Sequence, residues 1–251
     1  MPRGLYFVFS NCTDPKRTAE FNRWYSHVHL PVLRPTRGLV SARRFCIARP
    51  QPGQPQYLAL YEFEASDLKG SVEDLGRQAR REPPGLRPDC MQSVARHLYR
   101  EIPQGEFQPM ADCNYPSKAG GGASASRPNP REGVDPPART TNGALYIVLS
   151  NCGDPKREEE FNRWYSYIHV PDLAPARGIV RATRWRNLEP EKGPSTYAAL
   201  YEFKHDDLVA ALVDFQRLGS RTINGRIIDC MQTVGMSWFW EVDADAYAPE
   251  R

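Results

Sequence analysis

Two patterns of apolar residues follow each other near the start of the chain. Residues 5–11 (LYFVFSN) are apolar at both alternating sets of positions, which is typical of a strand covered on both faces. Apolar side chains then recur at intervals of three and four, as on one face of a helix: Phe21, Trp24, Tyr25 and Val28. The pattern predicts a strand followed by an amphipathic helix.

Local signals place the ends of this helix. Asp14 can cap its N-terminus, and Pro15 suits the first helical position. Pro31 and Pro35 lack the backbone N–H that a helix interior needs, so we expect the helix to end there. Gly38 then opens the next segment.

The segments that follow complete one folding unit. Strands are predicted over residues 39–48, 56–64 and 89–102, and a second helix is predicted over 66–81. The order βαββαβ is that of a split βαβ unit of the ferredoxin-like type.

The whole pattern occurs twice in the chain. Adding 140 to a position gives its counterpart, from Leu5 and Leu145 onwards, without an insertion or deletion. Within residues 11–31, 15 of the 21 residues are identical to their counterparts at 151–171. The sequence therefore indicates a tandem duplication.

The duplication predicts two domains, residues 1–103 and 144–251. Residues 104–143 between them are rich in Gly, Pro, Ser and Ala, a composition typical of an extended or flexible linker. One unit leaves an open sheet face that a second unit can cover. We therefore expect an α+β fold in which two ferredoxin-like units pack sheet to sheet as an internal pseudo-dimer. The sequence does not determine whether two such chains also form a homodimer.

Composition and charge exclude some classes of function. A net charge of +3 in 251 residues is too small to indicate a nucleic-acid partner. No apolar run is long enough to span a bilayer and the N-terminal residues lack a signal-peptide h-region, so we expect a cytoplasmic protein without a membrane partner. Six cysteines are too few for a disulfide scaffold and fit a reducing compartment.

Both repeats resemble a known family. The motif W-Y-x-x-x-H-x-P, followed by a glycine, an A-x-R-(F/W) strand and Y-x-A-L-Y-E-F, is similar to the EthD-like branch of the dimeric α+β barrel superfamily. The resemblance implies a ligand pocket between the helices and the sheet, with the first-helix histidine at its edge. The superfamily includes polyketide cyclases, decarboxylating dehydratases, isomerases, quinone-forming monooxygenases, haem-binding proteins and proteins without assigned activity, so the fold alone does not select a function.

His29 and His169 occupy the histidine position of this motif. A neutral imidazole there could act as a general acid or base near pH 7, since its unperturbed pKa is about 6.5. The alternative is a C-terminal helix cap, in which the imidazolium interacts with the helix dipole. Both interpretations stay open, as does the choice between the two repeats.

Three residues near the histidines complete the predicted catalytic set. Asp172 has a valine as its counterpart in the first repeat, and its carboxylate could orient the His169 imidazole. Tyr25 and Tyr165 have the spacing of core residues, but their hydroxyls could orient or protonate a substrate oxygen.

Aromatic and cationic residues beside this set are candidates for substrate binding. Trp24 and Trp164 could line a pocket, although packing alone explains aromatic residues at helical spacing. Arg44 and Arg184 could bind a carboxylate or phenolate. The alternative is salt bridges to Glu20 and Glu160, or to Asp89 and Asp229. The expected partner is a small molecule that is aromatic and can be acidic.

Two pairs of cysteines are expected to approach each other across neighbouring strands, Cys12 with Cys90 and Cys152 with Cys230. Buried thiols are the default in a reducing cell, and a redox-labile disulfide is the alternative. No metal is expected, because the HVH motif at 27–29 lacks a third ligand. No cofactor is expected, because the sequence has no Gly-rich phosphate loop or nucleotide fingerprint.

The favoured function is a cofactor-independent enzyme that acts on a small aromatic or polyketide-like compound. His29 or His169 would move a proton in a cyclisation, dehydration, decarboxylation or isomerisation. The alternative is a non-catalytic small-molecule-binding or stress-related protein that uses the same cavity. A haem-binding protein or cofactor-free monooxygenase is the third hypothesis.

Overall fold

The computed structural model describes residues 1–51, 53–109, 140–225 and 227–247, and for 220–225 it describes the backbone alone. Most of the linker predicted over 104–143 therefore lies outside the described residues.

The first repeat contains four strands and two helical regions in the predicted order. Its strands are β1 (Arg3–Cys12), β2 (Leu39–Ile47), β3 (Tyr57–Glu64) and β4 (Met91–Ile102). Its helices are α1 (Thr18–Trp24), a π-helical turn (Tyr25–His29), α2 (Leu30–Leu33) and α3 (Leu68–Ala79).

The second repeat has the same elements. Its strands are β5 (Thr140–Cys152), β6 (Ile179–Asn187), β7 (Tyr197–Lys204) and β8 (Met231–Val242). Its helices are α4 (Glu158–Trp164), a π-helical turn (Tyr165–His169), α5 (Val170–Leu173) and α6 (Leu208–Gly225).

The first helical region continues past Pro31, which corrects the helix end predicted there. Leu30 donates its N–H to the carbonyl of Tyr25, five residues earlier, so the turn before the proline is wider than an α-helical turn. The wider turn accommodates a ring that would otherwise collide with the carbonyl four residues before it. α2 then ends at Leu33, before Pro35.

The eight strands form one closed barrel in the order β1–β3–β2–β8–β5–β7–β6–β4. Each of the eight pairs of neighbouring strands is antiparallel. Two seams join the repeats: β2 pairs with β8 from Phe45 opposite Glu241, and β4 pairs with β6 from Tyr99 opposite Asn187. The predicted α+β barrel is confirmed, and edge-to-edge hydrogen bonds close it.

Alternation along the strands divides the apolar core into three clusters. Leu5 and Phe7 of β1 point into the barrel, where they meet residues of the second repeat such as Trp185. Val8 of the same strand points outward and packs under the helices of its own repeat. A third cluster lies under the helices of the second repeat. The prediction that the first strand is covered on both faces is confirmed.

Charged residues of both repeats form an ion-pair cluster, which consists of Arg43, Arg181, Glu62 and Glu202. Arg43 Nη2 lies 2.7 Å from Glu202 and 3.1 Å from Glu62, and Arg181 Nη1 lies 3.0 Å from Glu62. Burial alone would raise the pKa of Glu62, but Arg181, Arg43 and Arg3 together outweigh it and hold the pKa below its usual value. The cluster links the two repeats by charge as well as by strand pairing.

Replacing Gly38 by alanine is expected to lower the free energy of unfolding by about 1–2 kcal/mol. Gly38 has a φ of +73°, and an added Cβ would lie 2.9 Å from the carbonyl oxygen of Glu64. Gly76→Ala is the matched control. Gly76 lies within α3, and the nearest atom that an added Cβ would meet outside the local helix backbone is Arg80 Nη1 at 3.8 Å, so we expect the free energy of unfolding to rise by about 0.5–1 kcal/mol. Urea unfolding of both variants measures the two shifts, and equal shifts would contradict this reading of Gly38.

Candidate functional site

The π-helical turn of the second repeat places His169 on the inner side of the helix. Its ring stacks on Trp164 with centroids 4.9 Å apart and meets the ring of Tyr165 edge-on at 4.9 Å. These two contacts fix the orientation of the imidazole. Nδ1 of His169 is buried and has no hydrogen-bond partner.

Burial lowers the pKa of His169 to about 4, and the positive charge of Arg184 acts in the same direction. The imidazole is therefore neutral at physiological pH. A neutral imidazole can accept a proton or polarise an oxygen, whereas an imidazolium can only donate.

A cavity of about 330 Å³ opens beside His169, between α6 and the outer face of the barrel wall. Its apolar wall includes Tyr146, Val148, Leu173, Phe215, Ile227 and Trp238. Tyr146 and Trp238 stack on each other with ring centroids 4.1 Å apart. The size and the apolar lining suit a small, flat organic molecule.

Tyr201 brings a hydroxyl to the same cavity. This hydroxyl is buried beside the buried hydroxyl of Tyr165, and the two interact with each other. Burial raises the pKa of Tyr201 well above 10, and that of Tyr165 to about 12. Both tyrosines are therefore protonated and can donate a hydrogen bond. Tyr165 does not line the cavity; its ring supports His169.

Arg184, which the sequence suggested as a substrate ligand, does not line the described cavity. Its Nη1 donates to the carbonyl of Asn162 at 3.1 Å and its Nη2 to the Asn162 side chain at 2.9 Å, and Cζ lies 4.4 Å from the centre of the Tyr165 ring. Burial lowers the pKa of Arg184 to about 10. No carboxylate among the described residues forms a salt bridge with it, so its charge acts on the tyrosine and histidine beside it.

Arg44 is placed in the same way in the first repeat, over the ring of Tyr25 at 4.2 Å. The sequence also suggested Arg44 as a salt-bridge partner of Glu20 or Asp89. Arg17 forms both of those bridges instead. The two tryptophans suggested as substrate ligands, Trp24 and Trp164, are buried beside the histidine rings instead.

The first repeat gives its histidine an acid partner that the sequence analysis missed. His29 Nδ1 lies 3.2 Å from Glu82, and the indole N–H of Trp24 donates to the same carboxylate. Burial lowers the pKa of His29, and Glu82 opposes that effect. Glu82 lies just past α3, where no periodicity indicates which way a side chain points. The residue at the equivalent position is Thr222.

Charged residues of the first repeat also replace apolar cavity residues of the second. Arg87 and Arg96 stand where the second repeat has Ile227 and Met236. Arg96 lies beside Tyr6, the counterpart of Tyr146, and its charge opposes the rise that burial causes in the pKa of Tyr6. The two histidines therefore lie in different environments, one hydrogen-bonded to a carboxylate and one beside an apolar cavity.

Nδ1 of His169 has no hydrogen-bond partner, so Asp172 does not orient the imidazole through that atom. In the first repeat, Nδ1 of His29 does meet a carboxylate, that of Glu82. The histidines also do not end the helix, because α2 and α5 follow them directly. This removes the basis for a C-terminal cap.

The cysteine pairs lie close together, as the strand topology predicted. The sulfurs of Cys12 and Cys90 are 3.7 Å apart, and the described cysteines are free thiols. Burial and the neighbouring Cys152 raise the pKa of Cys230 to about 12, which keeps this thiol protonated.

Neither a metal site nor a membrane helix is found in the part of the chain that the structure describes. No three His, Cys, Asp or Glu side chains converge there on a point where a metal ion could bind. Within the same ranges, no helix combines the length and the hydropathy that crossing a bilayer requires.

Solved structures similar to this chain include chlorite dismutases. A single-residue variant of the enzyme from Candidatus Nitrospira defluvii is 9% identical, with a TM-score of 0.58 over 98% of this chain and 93% of that chain. A second protein, provisionally named a chlorite dismutase, is 10% identical, with a TM-score of 0.54 over 98% of both chains. No family model and no curated protein matches the sequence. The chain has the dimeric α+β barrel fold, and identities this low show the fold alone.

The depressed pKa of His169 predicts a specific loss of stability in acid. The unfolded chain binds this proton below a pKa of about 6.5, whereas the folded protein binds it only near pH 4. The stabilisation is present above pH 6.5 and is lost as the pH falls through that window. Between pH 7 and pH 4 we expect wild type to lose about 3 kcal/mol more than a His169→Gln variant.

Urea unfolding of both proteins at the two pH values measures this difference. Comparing the change within each protein removes the contribution of His29, which is common to both. Parallel losses in the two proteins would show that His169 titrates normally.

Proposed function

We propose that the protein binds a small, largely apolar compound, aromatic or polyketide-like, in the cavity of the second repeat and moves a proton on it through His169. The observation that carries this proposal is the pairing of a neutral, unpartnered imidazole with a protonated tyrosine at one apolar cavity. The resemblance to the EthD-like branch supports the same class of chemistry without a cofactor.

The proton step follows from the positions of three groups. His169 accepts a proton from a carbon next to a carbonyl, and the electron pair of that C–H bond moves to the carbonyl oxygen. The hydroxyl of Tyr201 donates a hydrogen bond to this oxygen. The positive charge of Arg184 behind the Tyr165 ring favours the enolate that forms.

Such an enolate is common to cyclisation, isomerisation and decarboxylation. The apolar wall excludes water, so the hydrogen bond to the oxygen is stronger than in bulk solvent. Return of the proton from His169 to a different atom completes an isomerisation, and attack of the carbanion on a second carbonyl completes a cyclisation.

The test uses 2-tetralone, a small aromatic ketone with acidic α-protons, in deuterated buffer at pH 7. We expect the protein to accelerate the exchange of these protons for deuterium, with a rate that saturates as ketone is added. Binding of 2-tetralone by calorimetry without faster exchange would favour the second candidate, a non-catalytic binding protein, because that role uses the same cavity.

Haem is the third candidate, since the superfamily has haem-binding members. The described cavity does not fit it well: about 330 Å³ is at the low end for a drug-sized ligand. Arg49 is the one cation among the described lining residues, although a haem carries two carboxylates. No step is therefore derived through haem. A Soret band in protein purified from haem-supplied cells would contradict this conclusion.

A further inference from the structure

The first repeat builds part of the wall of the second repeat's cavity. At one seam Ile47 of β2 lies opposite Phe239 of β8. The N–H of Ala48 then donates to the carbonyl of Trp238 at 2.8 Å. The chain leaving β2 therefore runs along the cavity and contributes four lining residues: Ile47, Arg49, Gln51 and Gln54.

Arg49 is the only residue with a formal charge at pH 7 among the described residues that line the cavity. Its side chain is half-exposed and Gln51 and Gln54 are exposed, so this polar group lies on the solvent side. His169 and Tyr201 are buried and neutral. The cavity is cationic at its rim, apolar along its body, and polar but uncharged where these two residues lie.

The equivalent loop of the first repeat's site has the opposite charge. Glu189 is the counterpart of Arg49, and the N–H of Leu188 before it donates to the carbonyl of Leu98 at 2.9 Å across the other seam. Glu189 forms an ion pair with Lys192 at 3.0 Å. The two loops thus reach equivalent places, but the position that Arg49 occupies at the apolar cavity holds a carboxylate in the other loop.

We propose that Arg49 selects ligands with an anionic group, a carboxylate or a phenolate, at the rim of the cavity. This inference rests on the proposed function, because it assigns the ligand class of the same cavity. A guanidinium can bind a carboxylate through two parallel N–H···O bonds. The ligand is therefore amphipathic, with a ring system in the apolar body and its acidic group against the first repeat.

The experiment compares 2-naphthoate with its neutral isostere 2-naphthamide by calorimetric titration of the full chain at low ionic strength. Because a hydrogen bond to a charged partner is stronger than a neutral one by about 1–1.5 kcal/mol, wild type should bind the acid about tenfold more tightly. Arg49→Gln should bind both ligands equally, and Arg49→Glu should prefer the amide. Glu189→Gln is the matched control and should keep the wild-type preference.

Two results would overturn the inference, and they differ in what else they contradict. If wild type binds both ligands with equal affinity, or if Arg49→Gln keeps the preference, Arg49 does not select the ligand and the proposed function stands. If wild type binds neither ligand, the cavity is not a site for small aromatic compounds and the proposed function fails too. Arg49→Lys, which keeps the charge without the bidentate geometry, should retain part of the preference.

Discussion

Replacing His169 by glutamine is expected to slow deuterium exchange into 2-tetralone by about 10²- to 10⁴-fold, the range that a positioned general base contributes. Glutamine preserves the approximate size and the hydrogen-bonding character of the side chain but cannot accept the proton. Affinity for the ketone should change little, because the apolar wall provides most of the contact. The loss should therefore fall on the maximal rate and not on the apparent binding constant.

The duplicated chain contains its own control for this experiment. His29→Gln makes the same chemical change at the equivalent position of the first repeat, where the imidazole is bound to Glu82 at 3.2 Å. We expect this variant to exchange 2-tetralone at the wild-type rate. Equal losses in both variants would mean that the histidines support the fold, and a loss in His29→Gln alone would place the chemistry in the first repeat.

The second large effect concerns stability. Trp185→Ala is expected to lower the free energy of unfolding by about 3–5 kcal/mol. Trp185 is fully buried inside the barrel, in the cluster that contains residues of both repeats. It also lies opposite Glu101 at the seam between β4 and β6. Truncation leaves a cavity where the two halves meet, so both repeats should unfold in one shared transition.

Val180→Ala on the same strand is the matched control, because Val180 is 63% exposed and loses little contact. Its effect should stay within about 0.5 kcal/mol. Urea unfolding followed by fluorescence and by circular dichroism measures both variants. A small effect of Trp185→Ala, or two separate transitions in wild type, would contradict a single barrel shared by the repeats.

The fold was predictable because its signals are local and occur twice. The alternation in β1 and the helical spacing from Phe21 to Val28 each correspond to one element, and the repeat supplies the pairing of two units. The end of the first helix was not predictable from Pro31. Whether a proline ends a helix depends on whether the preceding turn can widen, which periodicity does not encode.

The site was predictable only in part. The motif indicated His169, but the difference between the repeats depends on residues far away in sequence, such as Glu82 and Met236. Arg184 was assigned to the ligand because its charge is visible in the sequence, whereas its burial against the Tyr165 ring is not. Arg49 was missed because it lies in the first repeat and lines the cavity of the second.

The most direct test of a single site in the second repeat is the binding of 2-tetralone to two variants with equivalent substitutions. Val148 lines the cavity, and Val8 is its buried counterpart in the first repeat. Val148→Phe should fill the cavity and weaken binding about tenfold or more, since a pocket ligand depends on burial of its surface. Val8→Phe should lose stability by about 1–3 kcal/mol through overpacking and keep wild-type affinity. Unchanged binding in a folded Val148→Phe variant, or loss of binding in Val8→Phe alone, would contradict the account.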